Sequence, residues 1–86
     1  MYEIKLSSSA VHDYKKIPDN EVEKINDAID QLEINPRPAG YKKLQNRNAY
    51  RVRAGNYRII YEIKDRELFI LVIRIRHRSD VYKNMP

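Results

Sequence analysis

The 86-residue sequence predicts a single α+β domain of order β-α-α-β-β-β, a two-helix hairpin packed on a largely antiparallel sheet. Three observations carry this reading. Apolar residues recur at helical spacing between Ala10 and Leu32, the period changes to that of strands after Ala49, and two short polar turns divide the second half into three strands. A chain of this length buries about 60% of the surface its unfolded form exposes, so residues 1–86 are read as one domain with one core.

Residues 2–6 alternate in character and are rich in strand formers, which makes them the first strand. Ser7, Ser8 and Ser9 offer N-caps to a helix whose buried stripe is Ala10, Val11, Tyr14 and Ile17. Pro18-Asp19-Asn20 ends that helix. Asn20 with Glu23 resembles a capping box opening a second helix, with the stripe Val22, Ile25, Ala28, Ile29 and Leu32. Asn35 precedes Pro36 and is disfavoured from helical geometry, so residues 36–40 form a loop. Residues 50–54, 57–63 and 68–76 then read as strands, joined by a two-residue turn at Gly55-Asn56 and a polar turn over 64–67. Residues 68–73 are apolar at every position, as in a central strand covered on both faces. The expected core comprises Ile25, Ile29, Leu32, Ile59, Tyr61, Leu71 and Ile73.

At 42% hydrophobic and 34% charged residues, the composition is that of a folded soluble domain rather than a disordered segment. The absence of cysteine excludes disulfides and thiolate metal sites and fits a reducing compartment. No long apolar segment opens the sequence, and the run over 68–73 is too short to cross a bilayer. A cytoplasmic protein without a membrane partner is expected. Charge is divided unevenly: residues 1–33 hold four Lys and eight Asp or Glu, whereas residues 34–86 hold 13 Lys or Arg and four Asp or Glu. One acidic solvated face and one face suited to a polyanion would account for this.

The two-residue turn fixes cross-strand partners: Ala54 faces Tyr57, Arg53 faces Arg58 and Arg51 faces Ile60. Arg51, Arg53 and Arg58 therefore share one face, while Val52, Ile59, Tyr61 and Ile63 point to the other. Two arginines directly opposite each other repel, and a bound phosphate would relieve that conflict. The alternative is long arginine stems lying over apolar surface with their heads in water. From the end of the last strand onward, Arg74, Arg76, His77, Arg78 and Tyr82 fall within nine residues. Two histidines 65 positions apart and no cysteine argue against a zinc site, and the few carboxylates of the basic half argue against a two-metal nuclease. A nuclease built here is expected to use no metal and no cofactor.

Tyr57-Arg58-Ile59-Ile60-Tyr61 after a turn, then an apolar strand, then His77-Arg78-Ser79-Asp80-Val81-Tyr82, resemble the RelE toxins of the RelE/ParE toxin–antitoxin superfamily over nearly the whole chain. The resemblance implies a ribosome-dependent endoribonuclease that cuts mRNA in the A site. There the 2′-hydroxyl of a nucleotide attacks its own 3′-phosphate, leaving a 2′,3′-cyclic phosphate and a 5′-hydroxyl. It places Arg58 at the scissile phosphate, Arg51 and Arg53 along the RNA backbone near the 2′-oxygen, and Tyr82 on the reacting nucleotide. Counting along the last strand makes Arg78 the arginine that stabilises the transition state, and counting back from Tyr82 makes it Arg76; Arg78 is preferred. His77 is available as a general acid, and Lys42, Lys43, Arg74 and Arg76 are expected to hold RNA. Guanidiniums suit this task because they are planar, permanently charged and matched to phosphate oxygens. A tyrosine with an ordinary pKa of about 10 is a poor base at neutral pH, so alignment by the ribosome must supply much of the rate. The implied partners are the ribosome, mRNA, and an acidic, partly disordered antitoxin encoded by the adjacent gene. A ParE-type inhibitor of DNA gyrase and a non-enzymatic RNA-binding module are the alternatives.

Overall fold

The computed structural model describes residues 1–45 and 48–79. Its elements are β1 (Glu3–Leu6), α1 (Ser8–Lys15), α2 (Asp19–Ile34), β2 (Lys42–Lys43), β3 (Tyr50–Ala54), β4 (Tyr57–Lys64) and β5 (Phe69–His77). The sheet runs β1-β5-β4-β3-β2, with β1 parallel to β5 and every other pair antiparallel. The expected α+β architecture is present, with one strand added. The sequence pattern does not announce β2, because its two exposed lysines carry no apolar alternation.

Local chemistry explains most element boundaries. The Ser7 hydroxyl accepts the Ala10 amide at 3.1 Å and starts α1. Val11, expected in the buried stripe, is 40% exposed. The inward line is Ala10, Tyr14 and Ile17, and Val11 lies about 100° away from Ala10 around the helix. α2 begins one residue before the expected box. Pro18 is its N-cap, and the Pro18 carbonyl accepts the amides of Glu21 and Val22. Asn20 therefore sits inside the first turn and forms no box with Glu23, while Asp19 and Glu21 bring carboxylates to the positive end of the helix. The helix stops at Ile34, where Asn35 turns extended ahead of Pro36.

Ile25, Ile29 and Leu32 of α2 pack with Ile59, Tyr61, Ile70, Val72 and Ile75 of the sheet. Tyr61 is fully buried, and its hydroxyl donates to the Pro36 carbonyl at 2.7 Å, tying the loop after α2 to β4. Burial pushes its pKa well above the ordinary tyrosine value.

Leu71 and Ile73 are not core; the inward residues of β5 are Ile70, Val72 and Ile75. Tyr61 pairs with Val72 and Ile60 with Arg74, which leaves Ile73 as the extra residue of a bulge. An unbroken apolar run has no alternation to fix its phase, and the bulge changes that phase midway. Leu68 does not extend the strand. It lies in the turn, 52% exposed and with a φ of 54°. Among the described residues, no helix is long and apolar enough to cross a membrane.

Candidate nucleic-acid interface

With the helices covering one face of the sheet, the opposite face carries the cations. The Gly55-Asn56 turn sets the expected register, with Ala54 opposite Tyr57, Arg53 opposite Arg58 and Arg51 opposite Ile60. β5 extends it: Arg58 also faces Arg76, and Ile60 faces Arg74. Three arginines thus stand in one row across three strands, Arg53, Arg58 and Arg76, at a strand spacing of about 4.8 Å. The next row runs Lys42, Arg51, Ile60 and Arg74. Ile60, only 6% exposed, is the apolar centre of that basic grid. Glu62, on the same face, is engaged by Lys64 at 3.2 Å. The acidic residues Asp19, Glu21, Glu23, Asp27, Asp30 and Glu33 all belong to α2 on the other side of the sheet. The uneven charge along the chain is therefore a polarity of the fold.

The end of the grid nearest the turn opens into two recesses. The first, about 260 Å³, is lined by Arg53, Gly55, Asn56, Tyr57, Arg58 and Arg78. The Arg78 amide donates to the Asn56 carbonyl at 2.8 Å, which ties the end of β5 to the hairpin turn. Gly55 has a φ of 61°, and a Cβ there would stand 3.1 Å from Lys24 Cδ and 3.2 Å from Glu21 Oε2, so α2 packs directly on this turn. The second recess, about 370 Å³, is lined by Asp13, Lys16, Tyr57, Arg74, Ile75, Arg76 and His77. Tyr57 borders both.

Asp13 organises the outer edge of β5. Its carboxylate accepts Arg74 Nε at 2.8 Å, Arg74 Nη2 at 3.1 Å and the Ile75 amide at 2.9 Å. Burial alone would raise its pKa. The Arg74 and Ile75 hydrogen bonds and the charges of Arg74 and Arg76 outweigh burial, and the carboxyl sits below its ordinary value. His77 meets Tyr57 edge-on, with ring centroids 5.2 Å apart. The Ser79 amide donates to His77 Nδ1 at 3.2 Å. A backbone amide can only donate, so in the neutral ring Nε2 carries the hydrogen.

The fold brings Arg53, Arg58 and Arg78 to one recess, and Arg74, Arg76 and His77 to the other. Arg51 and Lys42 lie one row away on the same face, whereas Lys43 pairs with Tyr50 and has the opposite parity. Arg74 is held by Asp13 rather than presented alone. Tyr82 lies outside the described residues. Sequence reasoning does not place Tyr57, Asn56, Asp13 or Lys16 in the site. Asn56 belongs to a legible turn and Tyr57 follows it, whereas nothing in the first helix or its C-cap marks Asp13 or Lys16 as neighbours of residues 74–77.

A family model described as the ParE toxin of the type II toxin–antitoxin system parDE matches residues 4–82. The chain belongs to this family and is a type II toxin of the RelE/ParE superfamily. It is similar to the toxin RelG of Mycobacterium tuberculosis, 28% identical over 85 residues that cover 95% of this chain and 97% of the relative. Its fold is similar to that in the RelB–RelE antitoxin–toxin complex of Methanococcus jannaschii, with a TM-score of 0.72 at 28% identity over 94% of this chain and 98% of the other. The archaeal RelE–RelB complex of Pyrococcus horikoshii gives a TM-score of 0.79 at 25% identity, over 91% and 96% respectively.

Proposed function

We propose that this toxin is a ribosome-dependent, metal-independent endoribonuclease that cleaves mRNA in the A site and so stops translation. The observation that carries the reading is the row Arg53–Arg58–Arg76, which ends at a recess shared by Arg53, Arg58 and Arg78. Like charges set side by side destabilise a sheet, and a phosphodiester is the ligand that turns the arrangement into a gain. In this reading the 2′-oxygen forms a bond to phosphorus while the bond to the 5′-oxygen breaks. A proton leaves the 2′-hydroxyl and another reaches the departing 5′-oxygen. Arg58 holds the scissile phosphate, and Arg78 stabilises the negative charge gathered on its oxygens. Arg51 and Arg53 hold the backbone beside the 2′-oxygen, with Lys42, Arg74 and Arg76 as further RNA contacts; Lys43, expected among them, faces the other side of the sheet. Tyr82 orients the reacting nucleotide. His77 is the candidate acid, and a doubly protonated ring would have to give up the Ser79 amide bond.

The proposed partners are the ribosome, mRNA, and an acidic antitoxin segment from the adjacent gene that folds over the toxin. The solved complexes of the similar toxins with RelB support the antitoxin. The family model's description as a ParE toxin favours the second reading that the resemblance implies, inhibition of DNA gyrase without nuclease activity. Purified toxin added to translating ribosomes, to free mRNA and to a gyrase supercoiling reaction separates the two. Cleavage in the first mixture with little in the second is expected, and supercoiling inhibition without cleavage would reverse the assignment.

A further inference from the structure

The recess beside the end of α1 borders the same row of arginines, and its residue Lys16 has no part in the chemistry above. Lys16, the C-cap of α1, enters this recess with Arg76 and His77. The one acid in its lining, Asp13, is already matched by Arg74 through two hydrogen bonds. What the recess offers a ligand is therefore the charge of Lys16 and Arg76. Tyr57 lines both this recess and the one lined by Arg53, Arg58 and Arg78. Arg58, which lines the other recess, and Arg76, which lines this one, are cross-strand partners, about one strand spacing apart. Each recess thus has its own arginine, on one of two neighbouring strands.

We propose that this recess is a second phosphate subsite, in which Lys16 and Arg76 hold the phosphodiester adjacent to the one bound by Arg58. The polynucleotide backbone then runs across the strands, along the arginine row from β3 towards α1, with Tyr57 beside the nucleotide that joins the two phosphates. The proposal rests on the RNA-binding reading of this face and adds the path and the residue Lys16.

The test uses 2′-O-methyl oligonucleotides, which cannot be cleaved. A dinucleotide carries one bridging phosphate and a trinucleotide two. Their affinities for the full chain and for Lys16→Ala are measured by NMR titration at several salt concentrations. In the unaltered protein the trinucleotide binds roughly two- to fivefold more tightly, and its log-affinity falls more steeply with log salt, by about 0.7 for the added phosphate. Lys16→Ala removes both differences and Lys16→Arg restores them. Equal affinity and slope for the two oligonucleotides in the unaltered protein would overturn the second subsite alone, as would equal weakening of both by Lys16→Ala. Failure of both oligonucleotides to bind would overturn phosphate binding by this face of the free toxin, and the subsite with it.

Discussion

The Asp13 carboxylate accepts the Ile75 amide at 2.9 Å and so takes the place of a strand that β1 does not supply. β1 pairs with β5 only as far as Val72. Past that point Ser7 Oγ donates to the Ile73 carbonyl, and Asp13 satisfies the next exposed amide. Side chains of the first helical turns thus stand in for backbone along the stretch that presents Arg76, His77 and Arg78.

Asp13→Asn should make this dependence visible as a function of pH. A carboxyl held below its usual value of 3.8 contributes stability that is complete above that pH and is lost as pH falls through its lowered value. In urea unfolding at pH 7 the variant should be less stable by about 1–2 kcal/mol, since it loses charge-assisted hydrogen bonds. The gap should narrow on acidification to about pH 3. A gap of constant size would mean that Asp13 acts through shape alone.

Replacing Arg58 or Arg78 by alanine should lower cleavage on programmed ribosomes by about 100-fold or more each, the usual cost of losing one preorganised donor to a developing oxyanion. Stability should change by less than about 1 kcal/mol in each, because Arg58 is the middle member of a row of like charges whose removal relieves repulsion and Arg78 is exposed, where a charge contributes little. Single-turnover cleavage beside thermal unfolding reads both quantities. Full activity in both variants would remove the basis for the enzymatic reading.

Tyr61→Phe should destabilise the fold by about 1–2 kcal/mol, because the buried Pro36 carbonyl loses its donor where water cannot replace it. Chemical denaturation measures this directly, and a neutral result would mean that the loop after α2 relaxes to solvate the carbonyl.

Leu68→Gly should stabilise the protein by about 0.5–1 kcal/mol. Leu68 holds a φ of 54° while half exposed, so little packing offsets the strain. A loss of stability on thermal melting would show that its partial burial outweighs the backbone cost.

How much of the molecule is legible in its residues depends on how local each determinant is. The Gly55-Asn56 turn dictates its own hairpin register, so the pairing of Arg53 with Arg58 follows from the few residues around it. Ile25, Ile29 and Leu32 are legible because α2 is long enough to repeat its pattern. The phase of β5 is not, since Leu71 and Ile73 look no different from Ile70 and Val72, and the bulge is set by β4 across the sheet. Lys42 and Lys43 form a strand only because β3 offers an edge, and Asp13 meets Ile75 only through a crossover spanning most of the chain. Determinants of that second kind are tertiary, and the recess beside α1 depends on them.

The parallel pairing of β1 with β5 joins Glu3 to Phe69 and Leu6 to Val72. During synthesis the opening strand must therefore wait for nearly the whole chain before it gains its neighbour, a costly long-range closure that favours late, cooperative folding. The arginine row, whose third member is Arg76, is completed at the same late moment. On the proposed reading, the cleavage face of this toxin is accordingly unfinished until β5 has been made and has found both of its neighbours.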